Sequence, residues 1–456
     1  MKSFYQKLVK SEDVKKSQYL ILYLLINLVY GIGHLCMLIP INKYIPLALS
    51  FCLSCFLIIF GLPGQSVTIG AITDFILAST GLSRNIFSML YTCSTMTGCF
   101  LGLLGGLLVD KIGIRRTTLV ALLMCTAVFF ALGNTQFLCT KFSNSPTMRI
   151  VVTVIFLYFN LSILRCFGPN MFPMLGRMQI AKTFSKAPGI VVGLSGVFFS
   201  IATGYWPSIM RFLSGNENWQ NAYKTLGIIG CVTLVVFFIL FHDINPKHTT
   251  FVNNSIGSLE HLGTLSQKEF LRTPLFWGLM SILCLTSFIG TGVTVHICNI
   301  FQKNSIDPLI AIKSYKYMGY SIVFAGLLFG HQIDRRGIKT YILMLLFSQL
   351  LGLIGLEIAH NIFGLSMYIV GMGCFWGGYG ILRQVVWSKI FKRKNIGSIL
   401  SIAYCSSTVA GAIGVSILSF SNELLGSYFY LIRVVESILI CIIFLTVRKS
   451  FKETHP

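Results

Sequence analysis

From residue 46 to residue 447 the chain alternates long apolar stretches with short polar intervals. The stretches fall at 46–76, 87–109, 117–138, 149–175, 189–212 and 222–242, then at 275–301, 316–333, 340–359, 362–386, 397–420 and 425–447. Each is long enough to cross a hydrocarbon core of about 30 Å as a helix. Lipid offers backbone groups no hydrogen bonds, so only helices or closed barrels span it, and barrel strands are about half this length. The pattern predicts twelve membrane helices. One polar interval, 243–274, is longer than the others and contains Pro246, Asn253, Asn254 and Ser255. It divides six stretches from six and reads as a linker between halves 46–242 and 275–448, followed by a polar tail at 449–456.

A further apolar run lies at 18–40. It reads as a thirteenth spanning helix, as a helix lying at the interface, or as a signal-type segment. Residues 1–45 are thus an N-terminal tail with an extra hydrophobic segment. Lys2, Lys7, Lys10, Lys15 and Lys16 favour the inside. A crossing would place them outside, so the side of the N-terminus stays open.

One short phrase occurs twice: GGLLVDKIGIRR from Gly105 to Arg116, and FGHQIDRRGIK from Phe329 to Lys339. Gly106 pairs with Gly330, Asp110 with Asp334, Gly113 with Gly337 and Arg115 with Lys339, all at one offset near half the chain. Duplicated helical halves in a membrane are the architecture of secondary transporters.

Composition agrees. Hydrophobic residues make up 54% of the chain and charged residues 11%, against about 25% charged in soluble domains. The net charge of +22 invites a nucleic-acid reading, but the cations sit in alternate loops. One set holds Lys111, Arg115 and Arg116; Arg177, Lys182 and Lys186; Lys247, Lys268 and Arg272; Arg335, Arg336 and Lys339; Lys389, Lys392, Arg393 and Lys394; and Arg448, Lys449 and Lys452. The other set holds little beyond Arg84, Lys141, Lys303 and Lys313. Basic loops stay in the cytoplasm, so both copies of the phrase are expected there.

Fourteen cysteines show no metal-binding spacing and lie mostly in apolar stretches, where thiols behave as small hydrophobes. No disulfide framework is expected. No GxxxxGK[ST] loop, HExxH or nucleophile motif occurs. The chain is therefore not read as an enzyme, and no catalytic residue, cofactor or metal is expected.

Charges inside membrane spans are expensive and are candidates for function. Arg165 lies well inside 149–175 and suits an anionic substrate or a carboxylate partner, against a structural role on neighbouring carbonyls. Arg383 lies near the end of 362–386, where it could instead snorkel to headgroups. His296 titrates near neutral pH when unperturbed and suits proton coupling. Asp74 and Glu357 are proton-site candidates near span ends. Arg433 and Glu436 are i, i+3 neighbours and are expected to pair with each other. Gly106, Asp110, Gly113, Arg115, Gly330, Asp334, Arg335 and Gly337 form the candidate switching loops, whose carboxylates suit a helix N-terminus or the loop cations. Gly193, Gly196, Gly377, Gly378 and Gly380 are expected to serve close helix packing.

The duplicated phrase resembles the G-x-x-x-D-R-x-G-R-R signature of the major facilitator superfamily, with Lys111 and Ile114 departing from it. The phrases at 61–91, 182–196, 271–277 and 397–415 look like the branch of oxalate/formate antiporters and monocarboxylate transporters. The resemblance covers 46 to about 448. It implies an all-α polytopic membrane protein of the major facilitator fold, with two six-helix halves alternating access to a central cavity, plus the extra segment. It also implies that the Asp110 and Asp334 contacts latch one conformation. The phrase Arg165-Cys166-Phe167-Gly168 resembles the family's fourth span, where an arginine faces the cavity; Asn170 departs from it. The branch places a substrate-holding cation in span eight or eleven, whereas 317–330 and 397–420 contain none.

The leading expectation is secondary transport of a small organic anion, a carboxylate, by proton symport or exchange. The alternatives are export of amphipathic compounds and a non-transporting sensor on a transporter scaffold. Expected partners are a small-molecule substrate, the lipid bilayer and protons as coupling ion, with no nucleic acid and the chain acting as a monomer. The bacterial cytoplasmic membrane is the expected location.

Overall fold

The computed structural model describes residues 44–137, 145–184, 188–215, 217–240, 273–390 and 396–448. The expectations for 18–40, for most of the 243–274 linker and for the 449–456 tail lie outside these residues. Within them the chain is helical: α1 (Tyr44–Phe60), α2 (Ser66–Thr80), α3 (Arg84–Ile112), α4 (Ile114–Gly133), α5 (Pro146–Arg165), α6 (Phe172–Thr183), α7 (Pro188–Ser214) and α8 (Trp219–Leu240). Then follow α9 (Pro274–Lys303), α10 (Pro308–Arg335), α11 (Gly337–Glu357), α12 (Ile362–Ile390), α13 (Ile396–Leu425) and α14 (Phe429–Arg448). Among the described residues nine helical runs are long and apolar enough to cross a membrane.

Two of the apolar stretches are not single helices. The stretch at 46–76 breaks into α1 and α2 around a 3-10 turn, Leu62–Gly64. Pro63 has no N–H to give and its ring crowds the preceding turn. The stretch at 149–175 changes to a π-helical segment, Cys166–Met171, around Pro169 before continuing as α6. The two discontinuities pack on each other. A Cβ on Gly168 would lie 3.0 Å from the Gly61 carbonyl oxygen, and one on Gly64 would lie 2.8 Å from the Leu164 carbonyl oxygen. Only bare backbone fits at this crossing.

The carbonyls of the break find donors. Gln65 N–H and the Thr68 hydroxyl both donate to Leu62 O, at 2.9 and 2.7 Å. The Arg165 guanidinium donates Nη1 to Gly64 O at 2.7 Å. In lipid an unmatched carbonyl costs several kcal/mol, so the break depends on these donors.

By contacts the described residues form two units. One comprises those within 1–82, 101–199 and 208–250; the other those within 83–100, 200–207 and 251–456. In the first unit α4 and α8 pack through Gly227 against Phe130 and Gly230 against Thr126, and α6 packs on α1 through Gly176 at the Ser54 carbonyl. In the second, α12 lies on α10 and α11. Gly377 meets the Ile322 carbonyl, Gly378 meets Phe329, and Gly352 meets Met372. The expected packing role thus fits Gly377 and Gly378. It does not fit Gly193, Gly196 or Gly380, where a Cβ would find nothing within 4 Å; these positions face open space.

The helix α3 contributes to both units. Its first half runs antiparallel to α13 in the second unit, with one contact every two turns. Asn85 Oδ1 accepts from the Ser419 hydroxyl at 2.5 Å, the Thr92 hydroxyl donates to Ala412 O at 2.6 Å, and Cys99 Sγ lies 3.2 Å from Cys405 Sγ. Positions 85, 92 and 99 oppose 419, 412 and 405, a seven-residue step on both helices, which keeps one seam in register.

Replacing Gly61 with valine should cost about 1–3 kcal/mol, as overpacking does. Gly193→Ala, which faces open space, should be close to neutral. Thermal unfolding of the purified protein in detergent measures both, and equal midpoints for Gly61→Val and wild type would refute the close crossing.

Candidate functional site

Arg165 is 6% exposed. It ends α5 where the π-segment begins, and it reaches across to the carbonyl of Gly64 in the broken helix pair. Its geometry is that of a donor stitching two discontinuities together.

Arg383 occupies α12 in a different way. Its guanidinium carbon lies 3.5 Å from the centroid of the Tyr404 ring. Nη2 donates to the Thr408 hydroxyl at 2.7 Å and to Tyr404 O at 3.4 Å. Nε is buried and has no hydrogen-bond partner among the described residues. Thr408 passes its own proton to Tyr404 O at 2.8 Å, so its oxygen faces the guanidinium as an acceptor. Arg383 therefore does not snorkel; it is turned toward α13, held by a π face and neutral oxygens.

His296 is 1% exposed in α9. Its Nε2 lies 3.0 Å from the Val415 carbonyl oxygen, which fixes Nε2 as the donor. The ring stacks on Tyr428 at 5.5 Å, and the Tyr428 hydroxyl donates to Asn299 Oδ1 at 2.7 Å. Asp74 is half-buried on α2. Arg211 of α7 donates Nε to Ala71 O at 2.9 Å and lies 4.6 Å over the Phe75 ring, so it faces the turn that carries Asp74. Glu357 accepts from Arg433 Nε at 2.8 Å. The expected Arg433–Glu436 pair is thus replaced by a pair across α11 and α14, because Arg433 turns toward the neighbouring helix. The Glu436 Oε1 atom is buried without a hydrogen-bond partner among the described residues.

The two copies of the repeated phrase adopt one geometry. Gly113 and Gly337 have φ of 83° and 78°, the left-handed region that glycine enters without a Cβ clash. These residues make the sharp turns between α3 and α4 and between α10 and α11. The matched cations do matched work. Arg115 donates Nη2 to Phe238 O at 2.9 Å, and Lys339 donates Nζ to Val447 O at 3.3 Å. Phe238 and Val447 lie in the last turns of α8 and α14, where carbonyls lack helical partners and cations are favoured. Arg335 is exposed at the end of α10, and Gly330 has nothing closer than 4.0 Å where a Cβ would stand. Gly106 lies within α3; the side chains of Asp110 and Asp334 lie outside the described residues.

A sequence model described as Major Facilitator Superfamily matches residues 49–415. The chain belongs to that superfamily. A relative in Bacillus subtilis (strain 168), described as an uncharacterized MFS-type transporter, YybF, is 24% identical over 243 residues, 50% of this chain and 56% of the relative. The match thus spans about half of that relative's length. Among solved structures, a D-xylose-proton symporter has a TM-score of 0.64 at 16% identity, covering 89% of this chain and 98% of that one. A point mutant of the nucleoside transporter NupG has a TM-score of 0.61 at 11% identity, covering 88% and 99%. At such identities the likeness speaks for the fold. This facilitator is a multi-pass integral membrane protein of a transporter family, not an enzyme.

Sequence reading missed several neighbours in this facilitator. Lys316 stands just before the interval read as free of cations, yet α10 begins at Pro308, with the Asp307 side chain capping Leu309 N–H. Lys316 lies 5.2 Å over the Tyr205 ring, and the Tyr205 and Tyr320 hydroxyls are 2.6 Å apart. Arg211, Tyr404 and Thr408 escape notice because their partners are far away in sequence.

Removing the Arg165 guanidinium in Arg165→Met takes the charged donor from a carbonyl in the break and should lower stability by about 1.5–3 kcal/mol. Glu357→Gln should cost less than that, since its partner Arg433 is 63% exposed whereas Arg165 is buried. Thermal unfolding in lipid nanodiscs ranks the two; the reverse order would contradict the assigned roles.

Proposed function

We propose that this facilitator carries a small organic anion, a carboxylate being the simplest, by proton symport or exchange. The observation that supports the reading is the state of Arg383. A permanent charge inside a membrane helix is retained where it works. Among the described residues this one bonds a ring face, a hydroxyl and a carbonyl, with Nε unused. A guanidinium fork fits the two oxygens of a carboxylate. The anion would take Nε and displace the long Nη2 bond to Tyr404 O, while the Tyr404 ring and the Thr408 hydroxyl keep the fork aimed at it.

The other candidates take supporting parts. Arg165 secures the crossing of the two broken spans and acts on substrate through it. Asp74 and Glu357 remain the carboxylate candidates for a proton, Glu357 being paired with Arg433. His296, buried and bonded, holds α9 to α13. The halves 46–242 and 275–448 would carry the alternating access. The loops 110–116 and 331–339 face the cytoplasm, a side supported by their basic excess. Proton coupling draws support from the D-xylose-proton symporter of like fold, and a bacterial cytoplasmic membrane from the Bacillus relative.

Calorimetry on the purified protein tests this with oxalate, formate and lactate against D-xylose, uridine and an amphipathic cation. An anion should bind, and Arg383→Gln should weaken it by about 10- to 100-fold, the worth of a charge-assisted hydrogen bond. Arg383→Lys should recover part of the loss. Binding of the sugar, nucleoside or cation alone, or an anion affinity unchanged in Arg383→Gln, would refute the assignment.

A further inference from the structure

The α3–α13 seam combines oxygen-based contacts with a sulfur pair. Asn85–Ser419 and Thr92–Ala412 are hydrogen bonds, and Thr92 also meets the Ser416 hydroxyl at 2.7 Å. At the next position along the seam Cys99 faces Cys405, with 3.2 Å between sulfurs. Both thiols are free, Cys99 buried and Cys405 half-buried. A disulfide needs sulfurs about 2.05 Å apart, so closing this pair takes about 1 Å, within the reach of small side-chain rotations. The antiparallel register, fixed by the two hydrogen-bonded positions, already brings the sulfurs face to face. Immediately beyond residue 100, α3 leaves the second unit: Gly102 meets Asn170 and Gly105 meets Met171 in the first. The thiol pair therefore closes the seam at the point where the helix changes partners.

We propose that Cys99 and Cys405 form a reversible disulfide that pins the first half of α3 to α13. With an azo oxidant such as diamide the chemistry balances. The Cys99 thiolate adds to one nitrogen of the N=N bond, and the other nitrogen takes up a proton. Cys405 sulfur then attacks Cys99 sulfur; the S–S bond forms as the S–N bond breaks, and the hydrazine leaves with two protons and two electrons from the thiols. A dithiol reductant reverses it by exchange. The bond joins residues 306 apart in sequence. Two helices held by the hydrogen bonds of Asn85 and Thr92 become covalently one, and any motion that opens this seam stops.

The test uses the full chain in lipid nanodiscs, treated with diamide, blocked with N-ethylmaleimide and digested for mass spectrometry. The expected product is a peptide pair joined through Cys99 and Cys405, formed in most molecules and lost on treatment with dithiothreitol. Hydrogen exchange at amides 85–99 and 405–419 should slow at least tenfold in the oxidised protein. It should not change on diamide treatment of Cys99→Ala or Cys405→Ser, two independent variants in case one folds poorly. Oxidation that joins other cysteines and leaves this pair reduced would overturn the site. A bond that forms without slowing exchange along the seam would overturn the lock.

Discussion

Lipid cannot hydrogen-bond a peptide group, and that one constraint organises the molecule. It makes the described chain helical, and it sets the terms on which a helix can be interrupted. The break at Pro63 is tolerated because Gln65, Thr68 and Arg165 supply donors to Leu62 and Gly64. It lies against the π-segment around Pro169, so two irregular backbones are buried in each other instead of in hydrocarbon. The same constraint acts at helix ends, where Arg115 and Lys339 serve the last turns of α8 and α14. Arg165 meets that demand by donating to Gly64 O, and Arg383 is held by a ring face, a hydroxyl and a carbonyl.

Much of the fold is legible in the sequence, because lipid imposes a strong and simple pattern. Apolar runs, alternate basic loops and the doubled phrase each follow from one physical rule. Gly113 and Gly337 are readable for the same reason: a turn repeated at one offset with glycine at the same place implies a backbone only glycine adopts freely, and both have positive φ. Pro63 and Pro169 are equally visible, but the apolar length around them masks the breaks they cause.

The candidate site is less legible. Arg383 stands out as a charge, but whether it faces headgroups or α13 depends on Tyr404 and Thr408, which pattern alone does not bring near it. Lys316 escapes because α10 begins at Pro308, well ahead of the apolar run that marks the span. The seam of Asn85, Thr92 and Cys99 against Ser419, Ala412 and Cys405 has a seven-residue step on each helix. That step acquires meaning only once the two helices are known to be neighbours. Sequence periodicity fixes which face a residue occupies; tertiary packing decides what stands opposite.

The central claim is that a charged substrate completes the Arg383 site during transport. Flux in proteoliposomes loaded with one small carboxylate and given a second, labelled one outside, with and without a pH gradient, addresses it directly. The account predicts that labelled carboxylate enters in exchange or accumulates with the gradient, while D-xylose and uridine stay outside. Entry of the sugar or nucleoside with no carboxylate flux under either condition would contradict it.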